Sequence, residues 1–221
     1  MEKSMIQKEY LFFDLDGTLT DSSEGITKGV MYSLAKFGIQ EERMEELLKF
    51  IGPPLRDSFM KYYGFSEEEA KKAVIYYREY YQNTGLFENK VYPGMEDVLI
   101  ALKQAGKKLV VATSKPEEYA RRILERFGLY DYFDYIAGAG MDGSRTKKAE
   151  VIEYALESCD ITDKEEVLMI GDREHDVFGA AQVGIRCMGV LYGFGSRQEL
   201  ELAGAAYIAE SVADIERLIL K

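Results

Sequence analysis

The 221-residue chain is poor in the groups from which several functions are built. It has only two cysteines, Cys159 inside a helical pattern and Cys187 inside a strand pattern, which argues against a disulfide framework or cysteine metal cluster and suits a reducing compartment. Histidine occurs once, at His175. Basic residues are outnumbered, 28 Lys and Arg against 39 Asp and Glu, for a net charge of −11. Phosphate backbones and anionic bilayers bind through basic surface, so neither a nucleic-acid polymer nor a membrane is expected as a partner. No stretch approaches the ~18 uncharged apolar residues of a membrane span. The segment Met1 to Lys8 is polar and lacks the apolar core of a secretory signal, so a cytoplasmic location is expected. There is no internal repeat and no low-complexity segment.

What the chain does have is 47% hydrophobic residues, enough to bury a substantial core in one large domain or one domain carrying an insertion. The stretch Leu11-Phe12-Phe13-Asp14-Leu15-Asp16-Gly17-Thr18-Leu19-Thr20 reads as a buried strand ending in a tight polar turn. Asp14 and Asp16 would share a face if the strand continued. Gly17 instead lets the chain turn and bring Asp16 round towards whatever Asp14 meets. Read alone, an Asp-x-Asp-Gly-Thr run could also be a capped turn after an edge strand.

From Ser22 or Ser23 to about Lys90 the pattern is helical. Ile26, Val30, Leu34 and Phe37 form one stripe, and Met44, Leu47, Leu48 and Ile51 form another in a helix expected over Glu41 to Ile51. Gly52-Pro53-Pro54 breaks the pattern, Leu55 to Tyr63 resumes it, and Ser66 to Glu69 reads as a capping box opening a helix to about Gln82. After Tyr92-Pro93-Gly94 the regime changes. Short apolar runs at Leu109 to Ala112, Tyr135 to Ala137, Val167 to Ile170, Cys187 to Val190 and Tyr207-Ile208 alternate with helical segments. These are expected at Asp97 to Ala105, Pro116 to Phe127, Ala149 to Cys159, His175 to Gln182, Arg197 to Ala203 and Val212 to Leu220. Such alternation predicts an α/β fold, a Rossmann-like three-layer parallel sheet with its ligand beyond the carboxyl ends of the strands. Residues 1–20 and 91–221 would form this core. Residues 21–90 would be a helical insertion suited to a lid, with hinges at Gly17 to Asp21 and Gly85 to Tyr92.

If all strand ends share one rim, the residues leaving each run form a short list. Leu109 to Ala112 exits into Thr113-Ser114-Lys115-Pro116, giving hydroxyls and the amides of a helix start, which suit an oxyanion or a plain cap. Val167 to Ile170 exits into Gly171-Asp172, with Asp176 one helical turn later. Lys147 and Lys148 open the preceding helix, where a lysine opposes the helix dipole.

This constellation resembles the haloacid dehalogenase superfamily in its phosphatase branch, with a phosphoglycolate phosphatase and nucleotidase-like flavour. Asp14-Leu15-Asp16-Gly17-Thr18 looks like the first motif, Thr113 the second, Lys148 the third, and Gly171-Asp172 with Asp176 the fourth. The third motif departs from the family's usual Lys-Pro, since Arg145-Thr146-Lys147-Lys148-Ala149-Glu150 has no proline, and alignment to the following helix favours Lys148 over Lys147. The resemblance implies a helical cap and magnesium-dependent phosphoryl transfer through an aspartyl phosphate. Asp14 would be nucleophile and metal ligand, and Asp16 acid and base, its backbone carbonyl also reaching the metal. Thr113 and Lys148 would hold the phosphoryl oxygens with Ser114 in support. Asp172 would complete the metal site, and Asp176 would orient Lys148 or a water of that site.

The expected partner is a small phosphorylated metabolite, with the chain a monomer or homodimer. Arg56, after the rigid Gly52-Pro53-Pro54 loop, could touch the substrate, whereas Tyr62, Tyr63, Tyr76, Tyr77, Tyr80 and Tyr81 read chiefly as packing inside the insertion. His175 reads as a neighbour of the site. A 5'-nucleotidase, a phosphosugar mutase of the same superfamily and a receiver-type phosphorylation switch are the alternatives. The receiver has no reason for the long helical insertion.

Overall fold

The computed structural model describes residues 6–221, so most of the polar opening segment lies outside the described residues. In chain order the strands are β1 (Tyr10–Phe13), β2 (Thr20–Asp21), β3 (Lys90–Val91), β4 (Lys108–Pro116), β5 (Tyr135–Ala139), β6 (Val167–Gly171), β7 (Arg186–Val190) and β8 (Tyr207–Ala209). The helices are α1 (Ser23–Ala35), α2 (Leu55–Tyr63), α3 (Glu67–Tyr81), α4 (Met95–Gln104), α5 (Glu117–Arg126), α6 (Lys148–Ser158), α7 (Glu174–Val183), α8 (Arg197–Ala203) and α9 (Val212–Leu220). No described helix is long and apolar enough to cross a membrane.

The chain divides into two compact units, one running to Thr20 and resuming at Val91, the other Asp21–Lys90. The first is built on a six-stranded sheet in the order β5-β4-β1-β6-β7-β8, with every neighbouring pair parallel. This is the expected α/β core. Because successive side chains of a strand alternate faces, Phe12 joins Val110 and Met169 on one side, packed with Ile152 and Ala155 of α6 and Val177 and Ala180 of α7. Leu11 and Phe13 point the other way and are equally buried. From β1 the chain moves outward to β4 and β5 and then crosses to β6 on the opposite side of β1, so the strand order reverses between β1 and β6. In open parallel sheets that point is where ligands bind.

The second unit packs α1 on α3 and α3 on α2. The capping box expected at Ser66 is formed, with Glu69 N–H donating to the Ser66 hydroxyl and Ser66 N–H to the Glu69 carboxylate at 2.8 Å. The tyrosines pack within this unit: Tyr77 stacks on Tyr81 at 4.9 Å, Tyr62 and Tyr63 surround Phe50, and the Tyr80 hydroxyl donates to Glu88 at 2.7 Å. The α-helix expected over Glu41 to Ile51 is instead a 3₁₀ helix, Met44–Phe50. A three-residue period stacks Leu47 directly under Phe50, both fully buried, before Gly52-Pro53-Pro54 ends the segment.

Two further differences matter for the site. β4 runs on to Pro116 with a bulge between Thr113 and Pro116, so Thr113 to Lys115 are strand residues and the helix start lies at Glu117. The short strands β2 and β3, which carry no sequence signal, pair with each other where the chain passes between the two units.

Candidate active site

Asp14 directly follows β1, its amide extending the sheet by donating to the Ile170 carbonyl at 2.9 Å. The turn behind it is closed by one acceptor. The Leu15 carbonyl receives the amides of Thr18, Leu19 and Thr20, while Gly17 N–H donates to Thr20 O at 2.8 Å. Gly17 is required here twice over. Its φ of 79° is left-handed, and a Cβ would lie 2.2 Å from Asp172 Oδ2.

Around this turn the rim collects buried charge. Lys148, the first residue of α6, places Nζ 2.8 Å from Asp14 Oδ1, 2.8 Å from Asp176 Oδ1 and 3.0 Å from the Ala112 carbonyl of β4. Lys147 stands outside, exposed at the helix cap. Asp176 Oδ2 accepts from Arg173 N–H at 3.1 Å, which closes the first turn of α7. Gly171 leaves room for this acid, since a Cβ there would meet Asp176 Cγ at 2.2 Å. Asp172 is wholly buried, and its Oδ2 accepts from Phe194 N–H at 2.7 Å in the loop after β7.

Burial dominates the electrostatics. It pushes the Asp14 carboxyl up to about 6, against the pull of the Lys148 ammonium and with the help of Asp176 and Asp16. Asp172 is driven well above the usual carboxylate range by burial and by the Asp176 and Asp14 charges. The two acids hold Lys148 firmly protonated despite its burial. Asp14, Asp172 and Asp176 each offer an oxygen, all within 4.8 Å of one another. Asp172 Oδ1 is buried with no hydrogen-bond partner among the described residues. Three crowded carboxylates, one with an orphaned oxygen and two held above their ordinary pKa, are what a hard divalent cation relieves, so the residues fit magnesium.

Asp16 stands apart from that group. Its Oδ2 accepts from Lys115 Nζ at 2.7 Å, both side chains nearly buried, and its Oδ1 has no hydrogen-bond partner among the described residues. Lys115 was not among the site residues read from the sequence. The bulge in β4 carries it inward, and a bulge has no signature in this run beyond the proline. Thr113 is buried, its hydroxyl accepting from Lys115 N–H at 3.2 Å, and Ser114 beside it is half-buried. His175 is half-buried at the start of α7, its pKa lowered by burial and by Arg173. Arg56 belongs to the other unit, half-exposed in the first turn of α2 and 3.6 Å from Glu67.

The family model for haloacid dehalogenase-like hydrolases matches residues 11–190, which takes in both strand ends and the residues between. The chain is 44% identical over 219 residues to a 5'-nucleotidase of Pseudomonas aeruginosa, covering 99% of each. It is 37% identical over 210 residues to the tyrosine-protein kinase PtkA of Mycobacterium tuberculosis, covering 95% of this chain and 71% of that protein. Among solved structures, a predicted phosphatase from Clostridium acetobutylicum superposes with a TM-score of 0.94 at 54% identity, covering 96% of this chain and 98% of that one. With Asp14, Lys148 and Asp172 converging at the reversal point of the sheet, the chain belongs to the haloacid dehalogenase-like hydrolase family, in its phosphatase branch.

Proposed function

We propose that the protein hydrolyses small phosphomonoesters with magnesium, through a phosphoryl group carried on Asp14. The observation that carries this reading is the Asp14 carboxylate, sunk beside two acids yet held against the Lys148 ammonium at 2.8 Å. Lys148 favours the ionised, nucleophilic form that burial opposes. Asp14, Asp172 and the Asp16 backbone carbonyl would hold the cation, with Asp176 alongside. Magnesium, when bound, would neutralise the charge that otherwise keeps an anionic ester from a carboxylate.

The remaining chemistry falls to the chain. Asp14 attacks phosphorus, and the departing alkoxide takes a proton from Asp16. Water then attacks the acyl phosphate and gives Asp16 its proton back, which frees phosphate and restores Asp14. Lys148 and the Thr113 hydroxyl hold phosphoryl oxygens, supported by Ser114, and Asp176 keeps Lys148 in place. The unit Asp21–Lys90 acts as a cap that admits small substrates, with Arg56 a contact for an anionic or polar leaving group. With Cys159 and Cys187 both free, a reducing compartment such as the cytoplasm suits the chain, as monomer or homodimer.

Phosphoglycolate and a nucleoside 5'-monophosphate are the two substrate classes. The 5'-nucleotidase name of the 44% identical relative favours the nucleotide. The test is phosphate release from a panel of phosphomonoesters, with a phosphotyrosine peptide as the macromolecular control. Nucleoside monophosphates should lead, and the rate should vanish with chelator and return with magnesium. Full activity in chelator-treated protein would overturn the mechanism, and preference for the peptide would overturn the substrate class. Arg56→Ala should raise KM more than it lowers kcat; unchanged KM on every panel member would remove Arg56 from the substrate site.

A further inference from the structure

The loop Tyr192–Ser196 after β7 carries no acid, histidine or cysteine, yet it presses on Asp172, which is wholly buried. Phe194 N–H donates to Asp172 Oδ2 at 2.7 Å. The two glycines that flank Phe194 are there because nothing larger fits. A Cβ on Gly193 would lie 2.3 Å from the Gly17 carbonyl and 2.4 Å from Asp172 Cβ, and one on Gly195 would lie 1.9 Å from the Asp172 carbonyl. The Tyr192 hydroxyl donates to the Thr18 carbonyl at 3.0 Å, tying the same loop to the turn after Asp14. Tyr192 is half-buried, and its ring lies edge-on to Tyr92 at 4.8 Å. Downstream, Glu199 accepts from Arg173 Nε at 2.8 Å and from Glu174 N–H at 3.0 Å, so α8 grips the residues that follow Asp172.

The consequence lies in the two oxygens of Asp172. Oδ2 is taken by the Phe194 amide, whereas Oδ1 is buried with no hydrogen-bond partner among the described residues, and one oxygen of this carboxylate lies within 4.8 Å of oxygens of Asp14 and Asp176. A carboxylate free to rotate would present either oxygen or both. We propose that the loop Tyr192–Ser196 is the positioning segment of the cation site: it fixes the rotamer of Asp172 so that Oδ1 alone faces the cation, and Tyr192 sets the distance between that acid and the Asp14 turn. This rests on the magnesium reading above. Outer groups that orient a ligand change metal affinity by about 10- to 100-fold, so the loop should govern cation affinity without contacting the cation.

The experiment measures magnesium binding by isothermal titration calorimetry on the chelator-treated full chain, with the melting temperature of the cation-free protein recorded beside it. Gly193→Ala and Tyr192→Phe are compared with wild type, and Arg197→Ala serves as the control, because Arg197 pairs on the surface with Glu201 and Glu210. Gly193→Ala should weaken magnesium about 10- to 100-fold, Tyr192→Phe should weaken it by a smaller factor, and Arg197→Ala should leave it unchanged. If Gly193→Ala fails to fold, Tyr192→Phe decides, since it removes one hydroxyl and little volume. Cation affinities equal to wild type, with or without lowered melting temperatures, would mean the loop is only structural and overturn the proposal. No magnesium binding by wild type would instead sink the magnesium reading itself, and the proposal with it.

Discussion

Lys148→Met removes the ammonium that joins Asp14, Asp176 and the Ala112 carbonyl and leaves the apolar stem, which packs closely on α7 at Gly179. The substitution strips two buried carboxylates of their common counter-ion while Asp172 remains beside them. Breaking a buried pair by removing one partner costs about 3–5 kcal/mol, because the remaining charge is uncompensated. For a domain of this size about 1 kcal/mol moves Tm by ~2–4 °C, so a fall of roughly 6–20 °C is expected in metal-free buffer at pH 8. The deficit should depend on pH with a definite sign. Asp14 is already raised to about 6 with the lysine present. Without the lysine the clustered acids bind protons more tightly still, so lowering the pH towards 5 protonates them and the deficit shrinks. Magnesium should shrink it too, by restoring positive charge. Turnover should fall ~10²–10³-fold or more, the scale for losing one group that stabilises transition-state oxygens. Differential scanning calorimetry across pH 5 to 8, with and without magnesium, reads the first three effects. A Tm within 2 °C of wild type at pH 8, or a deficit that grows on acidification, would refute the reasoning.

Asp14→Asn should abolish turnover yet stabilise the metal-free chain. A carboxyl moved from its ordinary value of 3.8 to about 6 represents about 3 kcal/mol of unfavourable ionisation. The raised folded pKa makes wild-type stability fall as pH rises from about 4 to 6, so the asparagine variant should gain on wild type across that interval and hold its gain above it; equal melting curves at pH 8 would count against the buried ionised acid. His175→Ala should keep most of the activity, because the half-buried imidazole, its pKa lowered by burial and by Arg173, has no role in the proposed steps at Asp14. A loss comparable to that of Asp14→Asn would make it a catalytic residue after all.

The parts of the site that were legible in the sequence are those whose position follows from one element. Asp14 and Asp172 each leave an apolar run, and parallel strands in register put their ends on one rim. Asp176 follows by helical spacing and Lys148 by its place at the start of α6. The core helices and strands were legible for the same reason, their boundaries shifting by a few residues. What stayed hidden needs contacts between distant segments. Lys115 reaches Asp16 across 99 positions only because β4 bulges, and Thr113 to Lys115 looked like a helix start because a proline follows them. The Gly193 and Gly195 positions are defined by the closeness of Asp172 and Gly17, which no periodicity records. The 3₁₀ form of Met44–Phe50 was masked because its apolar residues also suit an α-helical stripe.

The central claim is that phosphorus passes through Asp14. In Asp16→Asn the nucleophile survives while the base for water attack is gone, so an aryl phosphate with a good leaving group should load Asp14 and leave it loaded. The decisive measurement is acid-quenched peptide mass spectrometry of Asp16→Asn after incubation with magnesium and the aryl phosphate. The account predicts one phosphoryl group on the peptide containing Asp14, removed by hydroxylamine and missing when Asp14→Asn is added. Release of the aryl alcohol with no adduct, or an adduct on any other residue, would contradict it.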